Sequence, residues 1–90
     1  MKEANIAEIG KRRILADAKH RCESCRLPLG HGKNENQPVF FYIIPPLQGG
    51  ENSVFNITVL CSKDCPQVQG LSDEELLQIV RNRENYFDLS

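Results

Sequence analysis

Four cysteines carry the clearest chemistry in this 90-residue chain: Cys22, Cys25, Cys61 and Cys65. Cys22-Glu23-Ser24-Cys25 is a CxxC turn, tight enough to aim both sulfurs at one ion. Zinc takes four such ligands in a tetrahedron. The second pair, Cys61-Ser62-Lys63-Asp64-Cys65, is spaced CxxxC. That spacing suits the first turn of a helix, where positions four apart share a face. Two pairs about 35 residues apart, each at a turn, match the general pattern of a structural four-cysteine zinc site. Reduced core cysteines and a redox CxxC are the alternatives, and the redox reading needs a βαβ context that the sequence lacks. His20 and His31 are nearby substitutes should one cysteine not reach the metal.

The N-terminal stretch MKEANIAEIGKRR has no apolar signal-peptide segment, and no apolar run reaches the ~18 residues of a membrane span. A cytosolic (cytoplasmic) location and no membrane partner are therefore expected. A reducing compartment favours metal binding over disulfides and makes the sequon at Asn56 irrelevant. A hydrophobic content of 40% with 26% charged residues argues against disorder. Ninety residues make one domain with a modest core, which a metal would help to stabilise.

The elements that must position the cysteines are read as follows. Residues 5–20 form a basic helix with apolar positions at Ile6, Ile9, Ile14, Leu15 and Ala18, weakened by Gly10. Residues 38–44 are a β-rich run bounded by prolines, covered on both faces. Residues 54–60 alternate, with Phe55, Ile57 and Val59 on one face and Asn56 and Thr58 on the other. The two runs predict an antiparallel hairpin over about 38–60, with a long turn-rich connection needing positive φ at Gly49 or Gly50. Ser72 and Glu75 form a capping box with Leu71 and Leu76 at the staple positions, which predicts a helix over about 73–86.

The net charge is −1, unevenly spread: residues 1–33 hold eight Lys/Arg against four Asp/Glu, residues 34–90 three against eight. Lys11, Arg12, Arg13, Lys19 and Arg21 cluster in the basic part. Such a segment can attract phosphates, although a solvated helix face has the same composition.

The order of these pieces resembles the HNH endonuclease family, in its zinc-frame branch with a ββα-metal (treble-clef) core. The likeness runs over about residues 11–66, through a basic helix leading into RCESC, a strand ending YIIPPLQGG, and NITVLC. It implies an α+β fold: a small zinc-stabilised ββα domain with flanking N- and C-terminal helices. The family's general-base histidine falls on Tyr42, its metal-binding residue on Phe41, its middle asparagine on Asn56 and its final histidine on Pro66. Histidine titrates near neutral pH, with a reference pKa of ~6.5, whereas tyrosine lies near ~10. Phenylalanine and proline offer no metal ligand. The frame matches while the catalytic set is replaced at three positions, with Tyr42 and Asn56 standing at matched sites.

The expected function is a nucleic-acid-binding module with lost or reduced nuclease activity, DNA being the expected partner. The cysteines would hold structural zinc, the basic segment would contact phosphates, and Tyr42 or Phe40 would stack on a base if exposed. The alternatives are an active endonuclease, using Mg²⁺ and a group such as His31, Glu35 or Glu51, and a protein-interaction module presenting Tyr86 and Phe87.

Overall fold

A computed structural model describes residues 2–30 and 36–83. The element order is β1 (Lys2–Glu3), α1 (Glu8–Asp17), β2 (Val39–Tyr42), β3 (Ile57–Leu60), α2 (Cys65–Gln69) and α3 (Asp73–Arg81), with 3-10 turns at Pro46–Gln48 and Val54–Asn56. The fold is a small α+β unit with a three-stranded antiparallel sheet of order β1-β2-β3. No helix among the described residues is long and apolar enough to cross a membrane.

The expected hairpin is present: Phe40 pairs with Val59 and Tyr42 with Ile57. Both faces of both strands are covered, since Phe40, Phe41, Tyr42 and every residue from Ile57 to Leu60 are buried. The alternation expected for 54–60 therefore does not hold at its start. Residues 54–56 are a 3-10 turn, which leaves Phe55 61% exposed instead of aligned with Ile57 and Val59. β1 lay outside the sequence expectation; it covers the outer edge of β2 through Lys2–Tyr42 and Glu3–Phe41 pairing.

α1 starts at Glu8 rather than residue 5 and ends at Asp17 rather than residue 20. Ile14, Leu15 and Ala18 pack into the core, whereas Ile9 is 80% exposed. Lys19 and His20 then take left-handed φ values of 58° and 57°, uncommon for non-glycine residues. Their amides donate back to Ala16 and Leu15 carbonyls, closing the helix and turning the chain towards Cys22.

α3 carries the expected capping box: the Ser72 hydroxyl accepts from the Glu75 amide, and the Glu75 carboxylate accepts from the Ser72 amide. It runs to Arg81; residues 84–86 of the expected helix, with Tyr86 and Phe87, lie outside the described residues. Leu71 and Leu76 share one apolar cluster, as a staple requires. That cluster (Ile43, Leu76, Val80) is separate from the larger one, which contains the sheet, α1 and the cysteines.

Candidate metal centre

The CxxC pair sits in a knuckle between α1 and the chain leading to β2. Cys22 N–H donates to the Leu27 carbonyl and Arg26 N–H to the Cys22 carbonyl, each at 2.9 Å. Arg26 takes φ 69°, and Cys25 N–H points at Cys22 Sγ at 3.5 Å. The second pair straddles two elements: Cys61 follows the end of β3 and Cys65 opens α2. The expectation that one helical turn would present both is thus corrected, since a bend at Ser62–Asp64 swings Cys65 beside Cys61.

All four cysteines are free, and their sulfurs lie within 4.8 Å of one another. Cys22–Cys65 and Cys25–Cys61 sulfurs are each 3.7 Å apart. Zinc–sulfur bonds of ~2.3 Å would place tetrahedral ligands about 3.8 Å apart, so the donor set fits such an ion. Burial first, then the neighbouring cysteines, pushes the Cys61 thiol up to about 12. Burial also raises Cys65, against the nearby Ser24 hydroxyl, which lowers it. Ser24 Oγ is buried without a well-formed hydrogen bond, so a thiolate at Cys65 would give it an acceptor. At Cys25 burial raises the thiol, but the Leu27 backbone and the neighbouring sulfurs outweigh it and hold it low. Several thiolates this close would repel one another, and a cation among them would favour the deprotonated set. Cys22, Cys25, Cys61 and Cys65 thus form a cluster able to hold a metal ion; exposed His20 is not needed to complete it.

The family-matched positions lie elsewhere in the hairpin. Phe41 and Tyr42 are buried, and Tyr42 O–H donates to Asn52 Oδ1 at 3.1 Å. Pro66 is buried in the first turn of α2. Asn56 is a tether: its Oδ1 accepts from Ile44 N–H, and its Nδ2 donates to the Ile44 and Glu51 carbonyls. Gly50 permits this closure, because a Cβ there would lie 1.7 Å from the Ile44 carbonyl oxygen; the positive φ of 90° falls at Gly49. Glu51 is exposed, while His31 and Glu35 lie outside the described residues.

The basic segment is mixed in its surroundings. Arg12, Arg13 and Arg21 are exposed, Lys11 and Lys19 half-buried. Lys11 and Arg12 line a cavity of 440 Å³ together with Glu3 and Glu8. Lys11 Nζ sits 5.8 Å from the Phe40 ring centre, Arg13 is 3.9 Å from Asp17, and Arg21 donates to the Arg26 carbonyl, bracing the knuckle. Phe40 and Tyr42 are buried and closed to base stacking. Among the described residues the exposed aromatic ring is Phe55, which lines a 220 Å³ cavity with Arg81, Glu51 and Leu77.

One feature of the centre had no sequence signal. Glu23, between the first two cysteines, is 1% exposed and Arg83 6%. Arg83 Nε and Nη2 donate to the two carboxylate oxygens at 2.9 and 2.7 Å. The same carboxylate accepts from the Thr58 hydroxyl and the Val59 amide, and Glu23 N–H donates to the Val59 carbonyl. Arg83 also donates to the Ile57 and Val54 carbonyls. Among the described residues, the outward edge of β3, opposite β2, is therefore closed by Glu23 and Arg83 rather than by another strand. An open edge would be a template for aggregation.

In comparisons with known proteins, the sequence matches no family model and no curated protein.

Proposed function

We propose that the chain is a zinc-stabilised nucleic-acid-binding domain on an HNH-like ββα (treble-clef) frame, with nuclease activity lost or much reduced. The observation that carries the reading is the four-sulfur cluster at the junction of the CxxC knuckle, the end of β3 and the start of α2. Zinc bound there would tie the three together and neutralise the thiolates.

The chemistry of the matched positions supports the reading of lost or much reduced catalysis. Hydrolysis of a phosphodiester needs a base for water and a cation at the leaving oxygen. Phe41, Tyr42 and Pro66 are buried, and the Tyr42 hydroxyl is engaged by Asn52. Asn56 spends its polar atoms on the loop backbone. Binding is assigned to Lys11, Arg12, Arg13, Lys19 and Arg21 for phosphates, and to exposed Phe55 beside Arg81 for stacking on a base.

The test is titration of the zinc-loaded protein with a short DNA duplex and single strand at two salt concentrations, beside incubation with supercoiled plasmid and Mg²⁺ or Mn²⁺. Two to three phosphate contacts would weaken duplex binding roughly 10- to 40-fold between about 50 and 200 mM salt. The plasmid should stay intact. Nicking would establish retained catalysis, and no binding at either salt would point to a protein partner.

A further inference from the structure

We propose that Glu23 and Arg83 are positioning residues of the metal centre, coupling metal occupancy to the docking of α3 and the closure of the β3 edge. The inference rests on the zinc reading above and adds to it an internal partner for the site.

The sulfurs and α3 belong to different apolar clusters. Cys22, Cys25, Cys61 and Cys65 pack with the sheet and α1, while Leu76 and Val80 of α3 pack with Ile43. Glu23 lies inside the loop that carries two of the sulfurs, and Arg83 lies just past the end of α3. Their ion pair spans 60 residues of chain and is buried on both sides. Because Glu23 is flanked by Cys22 and Ser24-Cys25, its direction is set by the turn that brings the sulfurs together. With the turn fixed, its carboxylate faces Thr58, Val59 and Arg83 at once. With the turn slack, Arg83 would keep a buried guanidinium without its counter-charge, which strongly disfavours the docked end of α3. Linkage makes the effect mutual: whatever factor α3 docking adds to metal affinity, the metal adds to α3 docking. The Val59 amide is a local reporter, since its hydrogen bond is made to the Glu23 carboxylate.

The experiment uses the full chain. Zinc transfer to a chromophoric chelator is timed for wild type, Glu23→Gln, Arg83→Met and Arg83→Lys. Amide exchange at Val59 and Leu76–Arg81 is followed with and without zinc, and Co²⁺ replaces zinc to read the sulfur-to-metal absorption band. Glu23→Gln and Arg83→Met should release zinc about 10- to 100-fold faster, the range for losing groups that orient metal ligands. Arg83→Lys should recover part of the loss, and the four-sulfur Co²⁺ band should persist in all. Zinc removal from wild type should speed exchange at Val59 and along α3 by a similar factor. Folded variants that release zinc at the wild-type rate would overturn the coupling while leaving the zinc reading intact. Equal Val59 exchange with and without zinc would also overturn it, even if Arg83→Met does not fold. Failure of wild type to take up zinc or Co²⁺ would end both.

Discussion

Arg83 Nη2 lies 2.7 Å from Glu23 Oε1, and the same guanidinium reaches the Ile57 carbonyl. A single side chain therefore joins the knuckle, the edge of β3 and the end of α3. Removing one partner of such a buried pair costs about 3–5 kcal/mol, because the other charge is left uncompensated. Arg83→Met should lower the urea midpoint of the metal-loaded protein accordingly. Arg13→Ala, which breaks an exposed pair at 3.9 Å, should change stability by less than about 1 kcal/mol. Similar losses in the two variants would contradict this ranking.

The loop between β2 and β3 depends on close backbone approach. A Cβ on Gly50 would meet the Ile44 carbonyl, so Gly50→Ala must displace backbone. Gly49→Ala meets open space and carries only the left-handed penalty of about 1–2 kcal/mol. Gly50→Ala should be the more damaging in thermal unfolding. Asn56→Ala should cost about 1–3 kcal/mol by leaving loop amide and carbonyl groups unpaired.

Metal binding should weaken as pH falls. A thiolate is the ligand, so each protonated cysteine must give up its proton. Cys61 is pushed up to about 12 and Cys65 is raised, so at neutral pH both hold protons that the metal displaces. Apparent zinc affinity should therefore rise with pH by at least about two decades per unit near neutrality, measured by chelator competition. A slope near zero would argue against thiolate ligation.

Phe55 should matter to single-strand binding, although alternation put it on one face with Ile57 and Val59, both of which are buried. Phe55→Ala should cost about 1–3 kcal/mol if one base stacks there. Replacing Arg12 and Arg13 with alanine should instead reduce the salt slope by about one per lost phosphate contact. Titrations at several salt concentrations separate the two effects.

What the sequence disclosed was local. The cysteine spacing, the Ser72–Glu75 capping box and the hairpin all rest on residues close in the chain, or on a pattern repeated along it. β1 escaped notice because two residues, Lys2 and Glu3, carry no periodicity. Phe55 was misplaced because alternation cannot show that a 3-10 turn precedes the strand. Glu23 and Arg83 each look like solvated charges, and nothing local links positions 60 residues apart. The four sulfurs do come together, yet the bend at Ser62–Asp64, rather than a helical turn, brings in Cys65, and the nearest sulfurs belong to different sequence pairs.

Metal content of the freshly reduced full chain, measured together with thiol reactivity and melting temperature, tests the central claim most directly. The expected result is one zinc per chain, four cysteines slow to react until chelator is added, and a clear fall in melting temperature on metal removal. No bound metal, with an unchanged melting temperature in chelator, would contradict it.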